Sequence, residues 1–175
     1  MLEREMKCTA GENTPSEEAL ERVLVRELER AEETLATAES CTGGGIGARI
    51  TEVPGASAVY AGGVVAYSNR IKVARLGVAD ETLEQYGAVS SQVAREMAEG
   101  CRRAFEVDLS LAVTGIAGPG GGLPGKPVGT VWIAISDAAG TTAREFRFSG
   151  DRGAVRERSV NKALEIAYRR LRSRL

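Results

Sequence analysis

The residue best placed for chemistry is a serine in the glycine-rich segment 39–44 (ESCTGG). The apolar residues before it favour a short strand, and the residues after it favour a helix. A turn from strand to helix holds a hydroxyl beyond the strand and directs helix amides toward the group it attacks. We therefore interpret Ser40 as a candidate nucleophile, with the amides of Cys41, Thr42 and Gly43 as a candidate oxyanion hole. The alternative is a glycine turn in which Ser40 only caps a helix, and the pattern alone does not decide.

A lysine at a second strand end is the candidate base. Lys72 closes the segment 66–72 (AYSNRIK), which follows an apolar stretch and begins a predicted helix. From there its amine could reach the edge of the sheet where Ser40 is expected. A lysine accepts a proton only where burial or nearby positive charge lowers its pKa. The alternative is a solvated lysine on a helix surface.

A third segment, 113–122 (VTGIAGPGGG), runs from a predicted strand into a long loop rich in glycine. Backbone amides without side chains around them can close on a phosphate, so the loop is a candidate anion site. Loops of this length inside a compact domain are usually functional or disordered. The alternative is a mobile surface loop.

The chain of 175 residues contains no histidine. A Ser-His-Asp or Cys-His device is therefore excluded, and so is a metal site with histidine ligands. The three cysteines, Cys8, Cys41 and Cys101, have no spacing typical of metal ligands, and we expect reduced thiols. We predict that the protein uses no metal and no cofactor, and that any acyl transfer relies on Lys, Tyr, Asp or Glu as the base.

Composition limits the classes of partner. The formal net charge is -1 and aromatic residues make up 5%, which argues against nucleic acid and anionic membranes as partners. No apolar run approaches the roughly 20 residues that span a bilayer, and the N-terminus lacks a signal-type apolar segment. These features predict a cytoplasmic protein with a small-molecule substrate. A homo-oligomer remains open.

The pattern of apolar residues, caps and turns predicts alternating helices and strands. Helices are expected at 15–33, up to 51, 69–76, 80–86, 90–105 and from 151 to the C-terminus. Strands are expected at 34–38, 58–67 (a buried strand), 108–113, 130–136 and 142–148, the last two as an antiparallel hairpin. This order favours an α/β fold, a three-layer α/β/α sandwich on a mixed, mostly parallel sheet. We expect residues 1–13 to form a flexible tail and residues 14–175 a single domain.

Taken together and in order, the three segments resemble the CinA C-terminal domain family, also known as the nicotinamide-nucleotide amidase family. The resemblance extends to residues 62–69 (GGVVAYSN), 87–90 (GAVS), 126–132 (KPVGTVW) and 148–152 (FSGDR), and covers about residues 20–172. It implies the same three-layer fold. It also implies an enzyme that hydrolyses nicotinamide mononucleotide to nicotinic acid mononucleotide and ammonia. Two positions, Gly45 and Leu123, depart from the family pattern.

The resemblance assigns roles to individual residues. The catalytic positions are Ser40, Lys72, Tyr67 and Thr114, and Lys72 would accept the serine proton directly or through Tyr67. The residues expected to bind substrate are Gly44, Gly115, Gly118, Pro119, Gly120, Gly121, Lys126 and Arg152. Lys126 or Arg152 would hold the 5′-phosphate. Two other functions stay open: a serine amidase for another small amide, and a non-catalytic nucleotide-binding protein on the same scaffold.

Overall fold

A mixed sheet of five strands forms the centre of the computed structural model, which describes residues 19–173. Its strands are β1 (Leu35–Glu39), β2 (Tyr60–Val65), β3 (Leu109–Gly115), β4 (Thr130–Asp137) and β5 (Gly140–Arg147), in the spatial order β2-β1-β3-β4-β5. β1 pairs in parallel with both β2 and β3. β4 runs antiparallel to β3 and forms the expected hairpin with β5.

Helices cover both faces of the sheet, which confirms the three-layer α/β/α arrangement. They are α1 (Leu20–Ala31), α2 (Gly45–Thr51), α3 (Asn69–Leu76), α4 (Asp80–Tyr86), α5 (Ser91–Phe105) and α6 (Arg152–Arg172). One buried cluster joins α1, α2 and α6 to the sheet through residues such as Leu24, Ile46 and Leu164. A second cluster joins α3 and α5 to the opposite face through residues such as Leu76 and Met97.

The sheet is mixed as predicted, but among the described residues two of its four strand pairings are parallel rather than most of them. The order of strands in a sheet is set by packing between distant segments. The alternation of helices and strands along the sequence does not determine that order.

The stretch predicted as a buried strand over 58–67 is instead an edge strand with a shorter span. Residues 56–58 form a 3-10 turn, and β2 covers Tyr60–Val65. Along β2 half-buried residues alternate with exposed ones. Gly63 lets this strand approach β1 closely, since a Cβ there would lie 2.2 Å from Thr37 Oγ1.

Side-chain caps fix three of the six α-helix starts within residues 19–173. The hydroxyl of Ser68 accepts from the amide of Ile71 at the start of α3, and Ser90 does the same for Val93 in α5. Asp151 caps α6. The predicted tail over 1–13 and the predicted start of the first helix near residue 15 lie outside the described residues. Within the described part of the chain, no helix is both long and apolar enough to cross a membrane.

Candidate active site

The parallel strands β1, β2 and β3 end at the same edge of the sheet, and the sequence-predicted site residues follow these ends. Ligands in open α/β sheets typically bind at the carboxyl ends of such strands. A cavity of about 210 Å³ lies at this edge. It is lined by Ser40, Cys41, Tyr67, Asn69, Lys72, Ala88, Val89, Thr114, Gly115, Ala117 and Arg152.

The structure brings Ser40 and Lys72 together. Ser40 directly follows β1, and its amide donates to the carbonyl of Val113 on β3 over 2.9 Å. Lys72 Nζ lies 3.2 Å from Ser40 Oγ and donates to the carbonyl oxygen of Ala66 over 2.8 Å. The whole Lys72 side chain is 1% exposed. The two side chains are therefore within the distance needed for direct proton transfer.

Burial lowers the pKa of the Lys72 amine from the ordinary 10.5, and the neighbouring Cys41 thiol opposes this shift. Within residues 19–173, no carboxylate forms an ion pair with Lys72 to hold its charge. A neutral amine in this position can donate to the Ala66 carbonyl and direct its lone pair toward Ser40. The surroundings of Lys72 therefore suit a base better than a permanent cation.

Cys41, next to the serine, is not a competing nucleophile. Burial raises the pKa of its thiol to about 11, so the thiolate is scarce near neutral pH. The thiol is free and the side chain is 5% exposed. Its contribution to the cavity is an apolar wall.

The segment 40–44, which we call the nucleophile turn, narrows the choice of oxyanion donors. Gly43 and Gly44 have φ of 63° and 93°, a conformation that glycine adopts at low cost. The Gly43 amide already donates to the Ser40 carbonyl over 3.1 Å. It is therefore not free to bind an oxyanion, contrary to the sequence interpretation. In the described structure the Cys41 and Thr42 amides donate to no carbonyl oxygen and remain candidates.

Two charged side chains that the sequence analysis did not single out hold the nucleophile turn. Glu39 accepts hydrogen bonds from the amides of Ile46 over 3.1 Å and Gly47 over 2.9 Å. Arg156 on α6 donates to the Thr42 carbonyl over 2.9 Å. The sequence could have identified Glu39, because an acidic residue at the end of a buried strand needs hydrogen-bond partners. No local pattern identified Arg156.

Tyr67 and Arg152 form the mouth of the cavity. Arg152 donates to the Tyr67 hydroxyl and to the Gly118 carbonyl, each over 2.9 Å. Tyr67 is 59% exposed, and within the described chain its hydroxyl forms no hydrogen bond with Ser40 or Lys72. Thr114, at the end of β3, is buried and donates to the Ala88 carbonyl over 2.8 Å. Thr114 thereby holds the segment that supplies Ala88 and Val89 to the cavity wall.

Only part of the glycine loop, which follows β3, lines the cavity. Gly115 lines the cavity, and Gly118 contributes the carbonyl that Arg152 binds. The predicted binding residues Pro119, Gly120, Gly121 and Lys126 do not line it, and Lys126 donates to the Tyr86 carbonyl over 2.7 Å. The loop folds onto itself, since Leu123 and Lys126 exchange backbone hydrogen bonds. In the described structure the amides of Gly118, Gly120 and Gly121 donate to no carbonyl oxygen, so the phosphate cradle stays a prediction.

Gly44, predicted to bind substrate, lines a different cavity of about 180 Å³ behind the nucleophile turn. Asn69, which was not singled out, lines the cavity that holds Ser40. Gly45, where the family pattern carries a larger residue, packs against α6, because a Cβ there would lie 3.0 Å from Val160 Cγ2.

Among the described residues, no group of three or more Cys, Asp or Glu side chains could hold a metal ion.

Comparison with known proteins identifies the family. The family model described as CinA C-terminal domain matches residues 17–171. The CinA-like protein of Thermotoga neapolitana is 50% identical over 159 residues, covering 91% of this chain and 39% of the relative. The CinA-like protein of Parasynechococcus marenigrum is 51% identical over 158 residues, covering 89% and 38%. The chain thus spans less than half the length of these relatives.

Solved structures match along nearly their full length. The competence/damage inducible protein CihA from Agrobacterium tumefaciens has a TM-score of 0.82 at 42% identity, covering 84% of this chain and 90% of that one. A CinA superfamily protein from Enterobacter cloacae has a TM-score of 0.86 at 35% identity, covering 96% and 99%. With the family model, the relatives and the fold in agreement, the chain belongs to the CinA C-terminal domain family.

Proposed function

We propose that the chain is an amidohydrolase that converts nicotinamide mononucleotide to nicotinic acid mononucleotide and ammonia, with Ser40 as nucleophile and Lys72 as base. The observation that carries this proposal is the buried Lys72 amine, 3.2 Å from Ser40 Oγ and without a carboxylate partner in the described structure. The choice of substrate rests on the family resemblance. The small polar cavity suits a ligand that presents a carboxamide to Ser40.

In the first step Ser40 Oγ attacks the carboxamide carbon while its proton moves to neutral Lys72. The direct route is favoured over transfer through Tyr67, because the Tyr67 hydroxyl is bound by Arg152. The carbonyl oxygen becomes an oxyanion that the amides of Cys41 and Thr42 stabilise. The positive pyridinium ring of the substrate helps to keep Lys72 neutral before the attack.

In the second step protonated Lys72 gives its proton to the carboxamide nitrogen, the C–N bond breaks and ammonia leaves. The product remains bound to Ser40 as an ester. Lys72, again neutral, accepts a proton from water as the water oxygen attacks the ester carbon. The Ser40–acyl bond then breaks, the serine recovers its proton and nicotinic acid mononucleotide is released.

Arg152 is the favoured partner for the substrate phosphate. Its guanidinium stands at the mouth of the cavity, and a planar guanidinium can bind phosphate through two parallel hydrogen bonds. Lys126 lies outside the cavity lining and donates to the Tyr86 carbonyl, which makes it the second choice.

The deciding experiment measures ammonia released by the purified chain from nicotinamide mononucleotide, nicotinamide and glutamine in parallel. The proposal expects release from the mononucleotide far above the other two. Release from glutamine or free nicotinamide alone would identify a different amidase. Binding of the mononucleotide without ammonia release would identify the non-catalytic alternative.

A further inference from the structure

The helix behind the nucleophile turn lacks a cap of its own. The residue at its N-cap is Gly44, which has no side chain to accept from the first turn of α2. The first amides of a helix have no partner inside the helix and need an external acceptor. Glu39 supplies it from the preceding strand, since its two carboxylate oxygens accept separately from the amides of Ile46 and Gly47.

The carboxylate is buried and directed away from the dyad. Glu39 is 1% exposed and lies with Thr37 on the face of β1 toward α2, because side chains alternate along a strand. Ser40, the next residue, faces Lys72 on the other side. Glu39 therefore stands next to the nucleophile along the chain without forming an ion pair with Lys72 in the described structure.

Gly47, which donates to Glu39, is itself closely packed against Tyr60. A Cβ on Gly47 would lie 2.6 Å from the Tyr60 hydroxyl and 3.7 Å from Glu39 Oε1. A side chain at position 47 would therefore displace the Tyr60 hydroxyl, while its distance to the carboxylate is an ordinary van der Waals contact. The absence of a Cβ lets the first turn of α2 lie against Tyr60 while its amides bind Glu39.

The consequence for the nucleophile turn is geometric. The Glu39 side chain links residue 39 to the backbone amides of residues 46 and 47. The five residues of the turn therefore lie within a ring closed by hydrogen bonds. Two of them are glycines with positive φ, which would give an open turn many accessible conformations. The ring and the Arg156 contact to the Thr42 carbonyl leave the turn few of those conformations.

We propose that Glu39 is a positioning residue whose carboxylate holds the nucleophile turn so that the Cys41 and Thr42 amides face the developing oxyanion. This inference rests on the proposed function, because it assumes that Ser40 attacks a carbonyl group. Glu39 itself touches neither the substrate nor the reacting atoms.

Substitutions at position 39 separate geometry from charge. Glu39→Gln preserves the length but offers one oxygen and places an NH₂ group opposite an N–H donor. Glu39→Asp preserves the charge but is one methylene shorter and cannot reach both amides as Glu39 does. A misplacement of the order of 1 Å can cost about a hundredfold in rate, so we expect kcat to fall about ten- to a hundredfold in Glu39→Gln, with KM little changed.

The matched control is Asp108→Asn, at the opposite end of the sheet. The Asp108 carboxylate also accepts a backbone amide, that of Thr34 over 2.9 Å, together with the Thr34 hydroxyl over 2.8 Å. This change removes a carboxylate contact to a backbone amide at an exposed residue far from Ser40. We expect it to lower the unfolding midpoint while leaving kcat and KM unchanged.

The experiment uses the full chain and two readouts besides the unfolding midpoint. The first is ammonia release from nicotinamide mononucleotide, divided into kcat and KM. The second is reaction of Ser40 with phenylmethylsulfonyl fluoride, followed by intact mass. In that reaction the Oγ–S bond forms, the S–F bond breaks, fluoride leaves and the serine proton moves to Lys72. We expect Glu39→Gln to react at least about tenfold more slowly than the wild type and Glu39→Asp to lie between them.

The outcomes distinguish the positioning role of Glu39 from the proposed function. A wild type that reacts with the sulfonyl fluoride while folded Glu39→Gln reacts equally fast would overturn the positioning role and leave the nucleophile intact. A wild type that neither reacts nor releases ammonia would overturn the proposed function and this inference with it. If neither Glu39→Gln nor Glu39→Asp folds, the carboxylate acts on stability, and the positioning role is wrong.

Discussion

At the scale of single residues, the site depends on a buried lysine that has lost most of its contact with water. Lys72 is 1% exposed, and its only charged or polar partners in the described structure are Ser40 and the Ala66 carbonyl. A charged amine in this position lacks an ion pair, so the fold favours the neutral form. The same burial that suits Lys72 to the proposed role of base therefore lowers the stability of the fold wherever the amine is charged in the unfolded chain.

This coupling gives a stability prediction with a defined sign. The folded pKa of Lys72 lies below the ordinary 10.5, so between the two values the unfolded chain binds a proton that the folded chain does not. The stability of the wild type should fall as pH decreases from about 10.5 through this lowered pKa. Lys72→Met removes this component, so its stability should decrease less over the same range.

The measurement is the free energy of unfolding in urea at several pH values between 7 and 10.5 for the wild type and Lys72→Met. Lys126→Met serves as the control, because Lys126 lies outside the cavity that holds Ser40. Parallel pH curves for the wild type and Lys72→Met would mean that Lys72 is charged in the folded protein and cannot act as the base.

A second residue-scale prediction concerns the dyad itself. Ser40→Ala and Lys72→Ala should each abolish ammonia release from the folded protein, because a serine hydroxyl is a poor nucleophile without its base. The double variant should be scarcely worse than either single one, since residues that act as a unit are not additive. Activity of the wild type should fall at acid pH as Lys72 becomes protonated. Turnover close to that of the wild type in folded Ser40→Ala would contradict the assignment.

The structure also removes the competing interpretation of Ser40 as a helix cap. The N-cap of α2 is Gly44, and Glu39 binds the amides of its first turn. The loss of a cap costs about 1 kcal/mol, and no such loss is expected here. The unfolding midpoint of Ser40→Ala should therefore match that of the wild type, which a scan of thermal unfolding measures.

At the scale of elements, the sequence predicted several helix bounds, with a side-chain cap in α3 and α5 and without one in α4. The bounds predicted for α3 and α4 agree with the structure, and the Ser90 cap of α5 was readable because a serine precedes an apolar helical face. The start of α2 was not readable in this way, since its acceptor comes from Glu39, five residues before the N-cap. The sequence did not predict that β2 is an edge strand. An apolar run with glycines lacks the alternation that distinguishes a strand with one exposed face from a strand buried on both faces.

The contact between α3 and α5 sets the position of Lys72 and gives an element-scale prediction. Gly100 on α5 faces the end of α3, and a Cβ there would lie 1.6 Å from the Leu76 carbonyl oxygen. A glycine-to-alanine change inside a helix usually stabilises by about 1 kcal/mol. Gly100→Ala should instead destabilise by roughly 1–3 kcal/mol, since overpacking forces the helices apart. Turnover of the folded fraction should also fall, because α3 carries Lys72.

The control for this prediction is Gly120→Ala in the exposed loop, where a Cβ would meet no atom within 4 Å. Its unfolding midpoint should stay close to that of the wild type. A Gly100→Ala chain as stable as the wild type would show that α3 shifts freely against α5, and would refute the rigid placement of the base.

At the scale of the whole molecule, the meeting of Ser40 with Lys72 was predictable and the path of the glycine loop was not. Parallel strands bring their ends to one edge, so two residues after such strands were expected to lie close together. The loop over 115–125 has no such constraint. Its path depends on contacts such as the backbone pair of Leu123 and Lys126, which only the folded chain determines.

The net charge of -1 provides no overall attraction for an anionic substrate, so recognition of the phosphate falls to local groups. Arg152 is the cation that lines the mouth of the cavity together with Tyr67. Each charge-assisted contact to a phosphate is worth roughly 1.5–3 kcal/mol. The loss of two such contacts corresponds to about a hundredfold or more in kcat/KM, so nicotinamide mononucleotide should be preferred over nicotinamide riboside by this factor.

Arg152→Gln should remove most of that preference by lowering kcat/KM for the mononucleotide while leaving the value for the riboside nearly unchanged. A general disturbance of the mouth would lower both values together, since Arg152 also holds Tyr67 and the Gly118 carbonyl. Lys126→Gln is the matched comparison, and it should leave the preference intact because Lys126 binds the Tyr86 carbonyl outside the cavity. If Lys126→Gln erases the preference and Arg152→Gln does not, the phosphate lies on the loop side, and the assignment of Arg152 is wrong.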